Sequence, residues 1–276
     1  MNQSPSQTTH LFTNRQITAM LLPLMAEQLL ITLMGMVNTF MVAHVGSYAI
    51  SAVSLVDSIN ILVIQAFYAL STGGTIVCAQ YLGQKKTGHA IRSAEQTLFI
   101  VTLISLVTAA FCILFDRQIL RLIFGTVDEE VFNSARTYFF YSSLSYPFIA
   151  LYDAGSSIFR AQKNTGFPMA VSLIANIANV IGNIILVLIL GQGVAGAAIS
   201  TLAARALCAL LVLLRLVKPR ENQPVYVANY TRIRPHMPLI RRILHIGIPA
   251  GIENSMFQFG KLAIQSSVST LGVTAM

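Results

Sequence analysis

Seven stretches of mostly apolar residues follow one another along the chain, and they cover 17–43, 50–80, 97–115, 132–159, 168–190, 194–214 and 243–271. A membrane-spanning helix needs roughly 20 predominantly apolar residues, and backbone groups in lipid must be paired within the segment. The alternating segments of about ten residues that build a membrane β-barrel are absent. The pattern therefore predicts an all-α membrane protein with seven helices in the lipid bilayer.

Composition agrees with this prediction and excludes several other classes. The 276 residues are 55% hydrophobic and 10% charged, whereas a soluble domain carries about 25% charged residues. The net charge of +8 comes from basic residues scattered through short gaps, which is not the pattern of a nucleic-acid-binding face. The sequence also lacks HExxH, GxSxG and phosphate-loop motifs. We therefore expect no enzymatic activity, no cofactor and no nucleic acid partner.

Basic residues are distributed unevenly between the two sides of the predicted membrane domain. The N-terminal segment and the gaps after even-numbered stretches contain thirteen Lys and Arg residues, against two in the other gaps. Lys and Arg are enriched in cytoplasmic loops. The N-terminus is therefore expected in the cytoplasm, in a multi-pass protein of the inner (plasma) membrane.

The first and seventh stretches resemble each other when the sequence is shifted by 226 positions. The matching pairs are Pro23–Pro249, Glu27–Glu253, Gly46–Gly272 and Ala49–Ala275. Six stretches separate the two copies, an even number, so both copies cross the membrane in the same direction. Parallel repeats of six helices are a transporter architecture, with the substrate pathway between the two halves.

This repeat predicts how the chain is divided. We expect a cytoplasmic N-terminal segment at 1–16, a six-helix N-lobe at 17–217, a cytoplasmic inter-lobe linker at 218–241 and the seventh helix at 242–276. The linker is rich in proline and in charge. The seventh helix would begin a truncated C-lobe, so a missing C-lobe or a second chain is expected to be required.

Four carboxylates fall inside predicted spans: Glu27, Asp57, Asp153 and Glu253. An ionised side chain near the bilayer centre costs about 2.5–3.5 kcal/mol on insertion scales. These residues could therefore form a proton or cation site, or provide counter-charges for a cationic substrate. The alternative is that each is kept neutral by burial or serves helix packing.

Three amides form a stripe on the fifth span. Asn176, Asn179 and Asn183 are spaced by three and four residues and share one helical face. They could bond to a neighbouring helix, or supply oxygens to a hard cation and line a cavity. The sequence leaves both interpretations open.

Several motifs in order resemble the MATE family of multidrug and toxic compound extrusion transporters. Residues 23–42, PLMAEQLLITLMGMVNTFMV, followed by Val45-Gly46, resemble its first helix. Residues 54–83 are similar to the second helix of bacterial members. Three later segments resemble the fourth, fifth and sixth helices of the family, in this order: SYPFIALYDAGSSIFRAQKNTGFPM, NIANVIGN and GVAGAAISTLAAR.

The resemblance implies twelve helices in two six-helix lobes, with both termini in the cytoplasm. It also implies a secondary active efflux antiporter that exchanges organic cations or other toxic small molecules for protons or sodium by alternating access. The alternatives are a lipid-linked precursor flippase of the wider superfamily, or a truncated chain without transport activity.

The chain departs from the family at the cation site of the N-lobe. Members usually carry aspartate in place of Asn38, and several carry it in place of Asn183, whereas Asn179 and Thr201 match the site's polar partners. A sodium site at Asn38, Asn179, Asn183 and Thr201 would thus lack both carboxylates. Coupling is then expected to lie at the four acids named above or in the missing half, and we predict that Glu27 contributes more to transport than Asn38.

Overall fold

The structure, a computed structural model, describes residues 14–125, 128–218, 220, 223–228, 230 and 233–270. Within these ranges it contains the helices α1 Asn14–Ala43, α2 Ser47–Gly83, α3 Thr87–Leu114, α4 Asp116–Phe124, α5 Glu129–Ala161, α6 Gly166–Asn183, α7 Gly193–Leu216 and α8 Met237–Thr270. A π-helix, Ile184–Ile189, continues α6. These ranges contain no β-strand, only an isolated bridge between Arg220 and Gln223. The all-α prediction is confirmed.

Five helical segments are long and apolar enough to cross a membrane: Ile17–Ala43, Ser47–Gly83, Thr87–Leu114, Gly166–Ile189 and Gly193–Leu216. They coincide with five of the seven predicted spans, and the chain is a multi-pass membrane protein. The helices α5 and α8 are also long, with 33 and 34 residues. They fall outside the apolar set because charged and hydroxyl side chains, such as Asp153 and Arg160 on α5, lower their hydropathy.

Several helices differ from the predicted spans: α3 begins at Thr87 rather than at residue 97, and α8 begins at Met237, within the predicted linker. The gap after the third span folds into α4, whose apolar residues Ile119, Leu120 and Ile123 recur at helical spacing while Arg117 and Arg121 occupy its polar side. In addition, the fourth predicted span ends at residue 159, whereas α5 runs to Ala161. Arg160, assigned to a cytoplasmic gap by the sequence, therefore belongs to the helix.

Helix α5 lies at the centre of the described residues and contacts α2, α3 and α7. Its fully buried aromatic side chains, Phe139, Tyr146 and Phe159, fill the space between those helices. In contrast, α1 lies at the edge and packs mainly against α6. Many of its apolar side chains, among them Leu22, Met25 and Leu29, are exposed.

Helix α8 packs closely on α2 at a pair of glycines. A Cβ added to Gly73 would lie 2.5 Å from the Ile243 carbonyl oxygen and 2.9 Å from the Gly247 nitrogen. Small residues of this kind allow the backbones of membrane helices to approach each other. The glycines thus fix where the last described helix joins the bundle.

Candidate functional site

Polar side chains from α1, α6 and α7 meet in what we call the amide cluster: Asn38, Asn179, Asn183, Ser200 and Thr201. Asn183 Nδ2 donates to Asn38 Oδ1 at 2.7 Å and to Asn179 Oδ1 at 3.2 Å. Asn38 Nδ2 donates to Thr201 Oγ1 at 3.1 Å, and Asn179 Nδ2 contacts the Ser200 and Thr201 hydroxyls at 3.3 and 3.4 Å. Asn38 is half-buried, and the other four residues are buried. The structure therefore brings together the four residues of the sequence-predicted sodium site.

The amide cluster carries no charge. Two of its three amide oxygens accept the Asn183 hydrogen bonds, and only Asn183 Oδ1 is buried without a partner among the described residues. A sodium ion bound here could use Asn183 Oδ1, but the cluster offers no carboxylate to attract it. The helices can approach this closely because residue 182 is glycine, whose added Cβ would lie 2.5 Å from Ser200 Oγ.

Asn176 stays outside this cluster. Its side chain donates to the Ser172 carbonyl one turn earlier on α6, at 2.9 Å. It shares a helical face with Asn179 and Asn183, as the spacing predicts, but no bond joins it to α1 or α7 in the described part of the chain. Of the three amides on this face, Asn179 and Asn183 therefore bond to other helices, whereas Asn176 bonds within α6.

Glu27 is buried between α1 and α5, with 2% of its surface exposed. Its Oε1 atom accepts hydrogen bonds from the Arg160 guanidinium at 2.9 Å and from the Tyr152 hydroxyl at 2.8 Å. The Arg160 side chain is 20% exposed, so this ion pair is largely withdrawn from solvent. Glu27 Oε2 and Arg160 Nε are buried without a hydrogen-bond partner among the described residues.

Asp57 belongs to a second polar group, between α2 and α5. Asn60 Nδ2 donates to Asp57 Oδ1 at 3.1 Å, and Tyr146 donates to Asn60 Oδ1 at 2.8 Å. Arg205 of α7 interacts electrostatically with Asp57. It also donates to Ser145 Oγ at 2.6 Å, which fixes its side chain against α5.

Asp153 lies between these two groups on α5. The charged groups that act on it are Arg160, Glu27 and Arg205, and no hydrogen bond reaches its carboxylate from any side chain or backbone group in the described ranges. We call Glu27, Asp57, Asp153, Arg160 and Arg205 the charged network. One of its members lies near the amide cluster along the same helix, because Arg205 follows Thr201 by one turn of α7.

Glu253 does not join either group, since its side chain is exposed on α8. The two members of the predicted Glu27–Glu253 pair therefore have different surroundings in this chain. Sequence reasoning missed Arg160 and Tyr152 as partners of Glu27. One signal was available, because Arg160 follows Asp153 by seven residues and so shares its helical face.

Comparisons with known proteins agree on one family. The MatE family pattern matches residues 23–185. The probable multidrug resistance protein NorM of Thermotoga maritima is 27% identical over 95% of this chain and 56% of its own length. The multidrug export protein MepA of Staphylococcus haemolyticus is 27% identical over 91% of the chain and 55% of its own length. The chain thus spans about half the length of the curated relatives it matches.

Solved structures share the fold. A MATE transporter in complex with MaD5 has a TM-score of 0.86 at 20% identity, over 95% of this chain and 58% of the solved one. The outward-facing conformation of a multidrug resistance MATE family transporter has a TM-score of 0.83 at 20% identity, over 94% and 56%. The described helices therefore correspond to about half of a two-lobed molecule.

Proposed function

The chain belongs to the MatE family of membrane transporters, and we propose that it forms one lobe of a multidrug exporter. This exporter exchanges organic, chiefly cationic compounds for protons or sodium by alternating access. In this proposal residues 17–217 are the N-lobe, 218–241 are a cytoplasmic linker and 242–276 begin a second lobe. The N-terminus lies in the cytoplasm.

The observation that carries the proposal is the charged network inside a lobe of this fold. A buried charge in a membrane helix is costly and is retained mainly in ion or substrate pathways. Here Glu27, Asp57 and Asp153 lie close to two arginines within the bundle, beside the amide cluster. Such a set can bind and release a small cation while the lobe moves as a unit.

The neutral amide cluster supports a division of roles within the lobe. Its amides can position helices or offer dipoles to a passing substrate, but they cannot exchange a proton. Ion coupling is therefore assigned to the charged network, and the amide cluster to helix contact. Substrates with positive charge fit a lobe whose intramembrane acids outnumber its intramembrane arginines.

The test is accumulation of ethidium in a host that lacks its own exporters. We expect lower accumulation when the chain is expressed joined to a second lobe, and no reduction from the 276 residues alone, because alternating access needs two halves around a shared site. The full-length Thermotoga maritima relative serves as the positive control. Unchanged accumulation with the two-lobed form, correctly inserted in the membrane, would refute the proposal.

A further inference from the structure

We propose that Asp153 carries the exchangeable proton of this lobe, protonated in one state of the transport cycle and ionised in the other. This inference rests on the proposed function, because exchange for substrate is what gives the proton its role. It assigns coupling to a position on α5 that the sequence named only as one acid among four.

The charged network contains unequal numbers of acidic and basic side chains. Three carboxylates, Glu27, Asp57 and Asp153, face two guanidiniums, those of Arg160 and Arg205. The other titratable side chains around them are four tyrosines and one cysteine: Tyr68, Tyr138, Tyr146, Tyr152 and Cys208. Residues of these two types are ordinarily uncharged at pH 7. One negative charge is therefore left over among apolar helices, where an uncompensated charge is unfavourable. Binding one proton removes it.

Hydrogen bonds indicate which carboxylate takes this proton. Glu27 already accepts from Arg160 and Tyr152, and Asp57 accepts from Asn60. These bonds stabilise the ionised forms of both groups. Asp153 accepts no hydrogen bond from any described residue, so its ionised form is the least stabilised of the three.

Two of the groups that act on Asp153 have buried atoms without hydrogen-bond partners among the described residues. Arg160 Nε is buried and donates to no described residue, and Glu27 Oε2 is buried and accepts from none. Arg160 lies two turns after Asp153 on the same face of α5, and helical side chains lean towards the N-terminus. Its guanidinium reaches back far enough to bind the same Glu27 oxygen as Tyr152.

Arg160 can therefore serve either of two carboxylates. With Asp153 protonated, the guanidinium pairs with Glu27 alone, as in this structure. When Asp153 loses its proton, Arg160 has an unused N–H to offer to the new carboxylate, which draws α1 and α5 into a different arrangement. A proton suits this position better than sodium does, because the adjacent guanidinium repels a metal cation.

The experiment treats the full chain in lipid nanodiscs with dicyclohexylcarbodiimide, a lipid-soluble reagent that modifies protonated carboxyl groups, and locates the adducts by peptide mass spectrometry. We expect an adduct on Asp153 that decreases as the pH is raised. Asp153→Asn should lose the adduct, and Asp153→Glu should restore it at the same position. Asp57 should remain unmodified throughout.

Glu27→Gln is the decisive variant. It leaves two carboxylates for two guanidiniums, so Asp153 should become ionised beside Arg160 and its adduct should be lost, although Asp153 itself is unchanged. A merely structural Asp153 would label equally in both proteins. Labelling of Glu27 in preference to Asp153, or equal labelling of Asp153 in Glu27→Gln, would overturn the inference. Failure of ethidium export together with the expected labelling would instead count against the proposed function alone.

Discussion

Asn38 connects α1 to α6 and α7 through a neutral amide, at a position where the family resemblance implies an acid. Its oxygen lies 2.7 Å from Asn183 Nδ2, and its nitrogen lies 3.1 Å from Thr201 Oγ1. A carboxylate of the same size would fit this space and would add the charge that the amide cluster lacks. The surroundings of Asn38 therefore have the geometry of a cation site but lack its negative charge.

We predict that Asn38→Asp makes the chain's thermal stability depend on sodium. Binding to the folded state would stabilise it by about 2.7 kcal/mol when the sodium concentration is 100 times Kd. The measurement compares the unfolding temperature in sodium chloride and in choline chloride at equal ionic strength. Asn176→Asp is the matched control, since it places the same change on α6 outside the amide cluster. An equal sodium effect in the unmodified chain would contradict this account of Asn38.

The amide stripe shows how far residue spacing could predict the site. Helical periodicity correctly placed Asn176, Asn179 and Asn183 on one face, because the angle per residue is fixed. It could not tell which of them lies at the depth where α1 and α7 approach, and only Asn179 and Asn183 do. Arg160 was missed for a related reason, since a basic residue at the end of an apolar stretch is usually solvated in the adjoining gap.

At the scale of helices, the contact between α2 and α8 depends on the absence of a side chain at Gly73. We predict that Gly73→Ala weakens this contact, because the new Cβ would lie 2.5 Å from the Ile243 carbonyl oxygen. Overpacking of this kind costs about 1–3 kcal/mol. Hydrogen exchange in residues 237–257 should therefore become faster in the variant.

Gly83→Ala provides the control for this change. Gly83 lies on the same helix and has no atom within 4 Å of an added Cβ, so it should leave exchange in α8 unaltered. Equally faster hydrogen exchange in both variants would show that the contact between Gly73 and Gly247 does not stabilise the packing of α8 on α2.

Most of the helices could be predicted from the sequence, because an apolar run long enough to span a bilayer has few other structures available to it. Helix α4 could not, since a nine-residue amphipathic segment resembles an ordinary polar gap when only continuous apolar runs are counted. The central position of α5 was also not predictable. Its serines, aspartate and arginine make it less apolar than its neighbours, and their contacts with α1, α2 and α7 are visible only in three dimensions.

For the whole molecule, the distribution of basic residues predicts which side faces the cytoplasm. Single cysteines at Ser47 and Gln192, both exposed at helix ends, should react with an impermeant thiol reagent added outside intact cells. Cysteines at Gln84 and Ala228, exposed in the opposite gaps, should not. The natural Cys78, Cys112 and Cys208 are buried and need no replacement. The reverse labelling pattern would overturn the orientation.

Ion-driven exchange in everted membrane vesicles tests the central claim most directly. The vesicles contain the chain with a second lobe and are made acidic inside by respiration, with a fluorescent weak base reporting the pH gradient. We predict that ethidium dissipates part of this gradient, that sodium without a proton gradient drives no ethidium movement, and that Asp153→Asn abolishes the response while Asp153→Glu retains it. Ethidium movement driven by sodium alone, or an undiminished response in Asp153→Asn, would contradict a proton-coupled exporter with Asp153 at its centre.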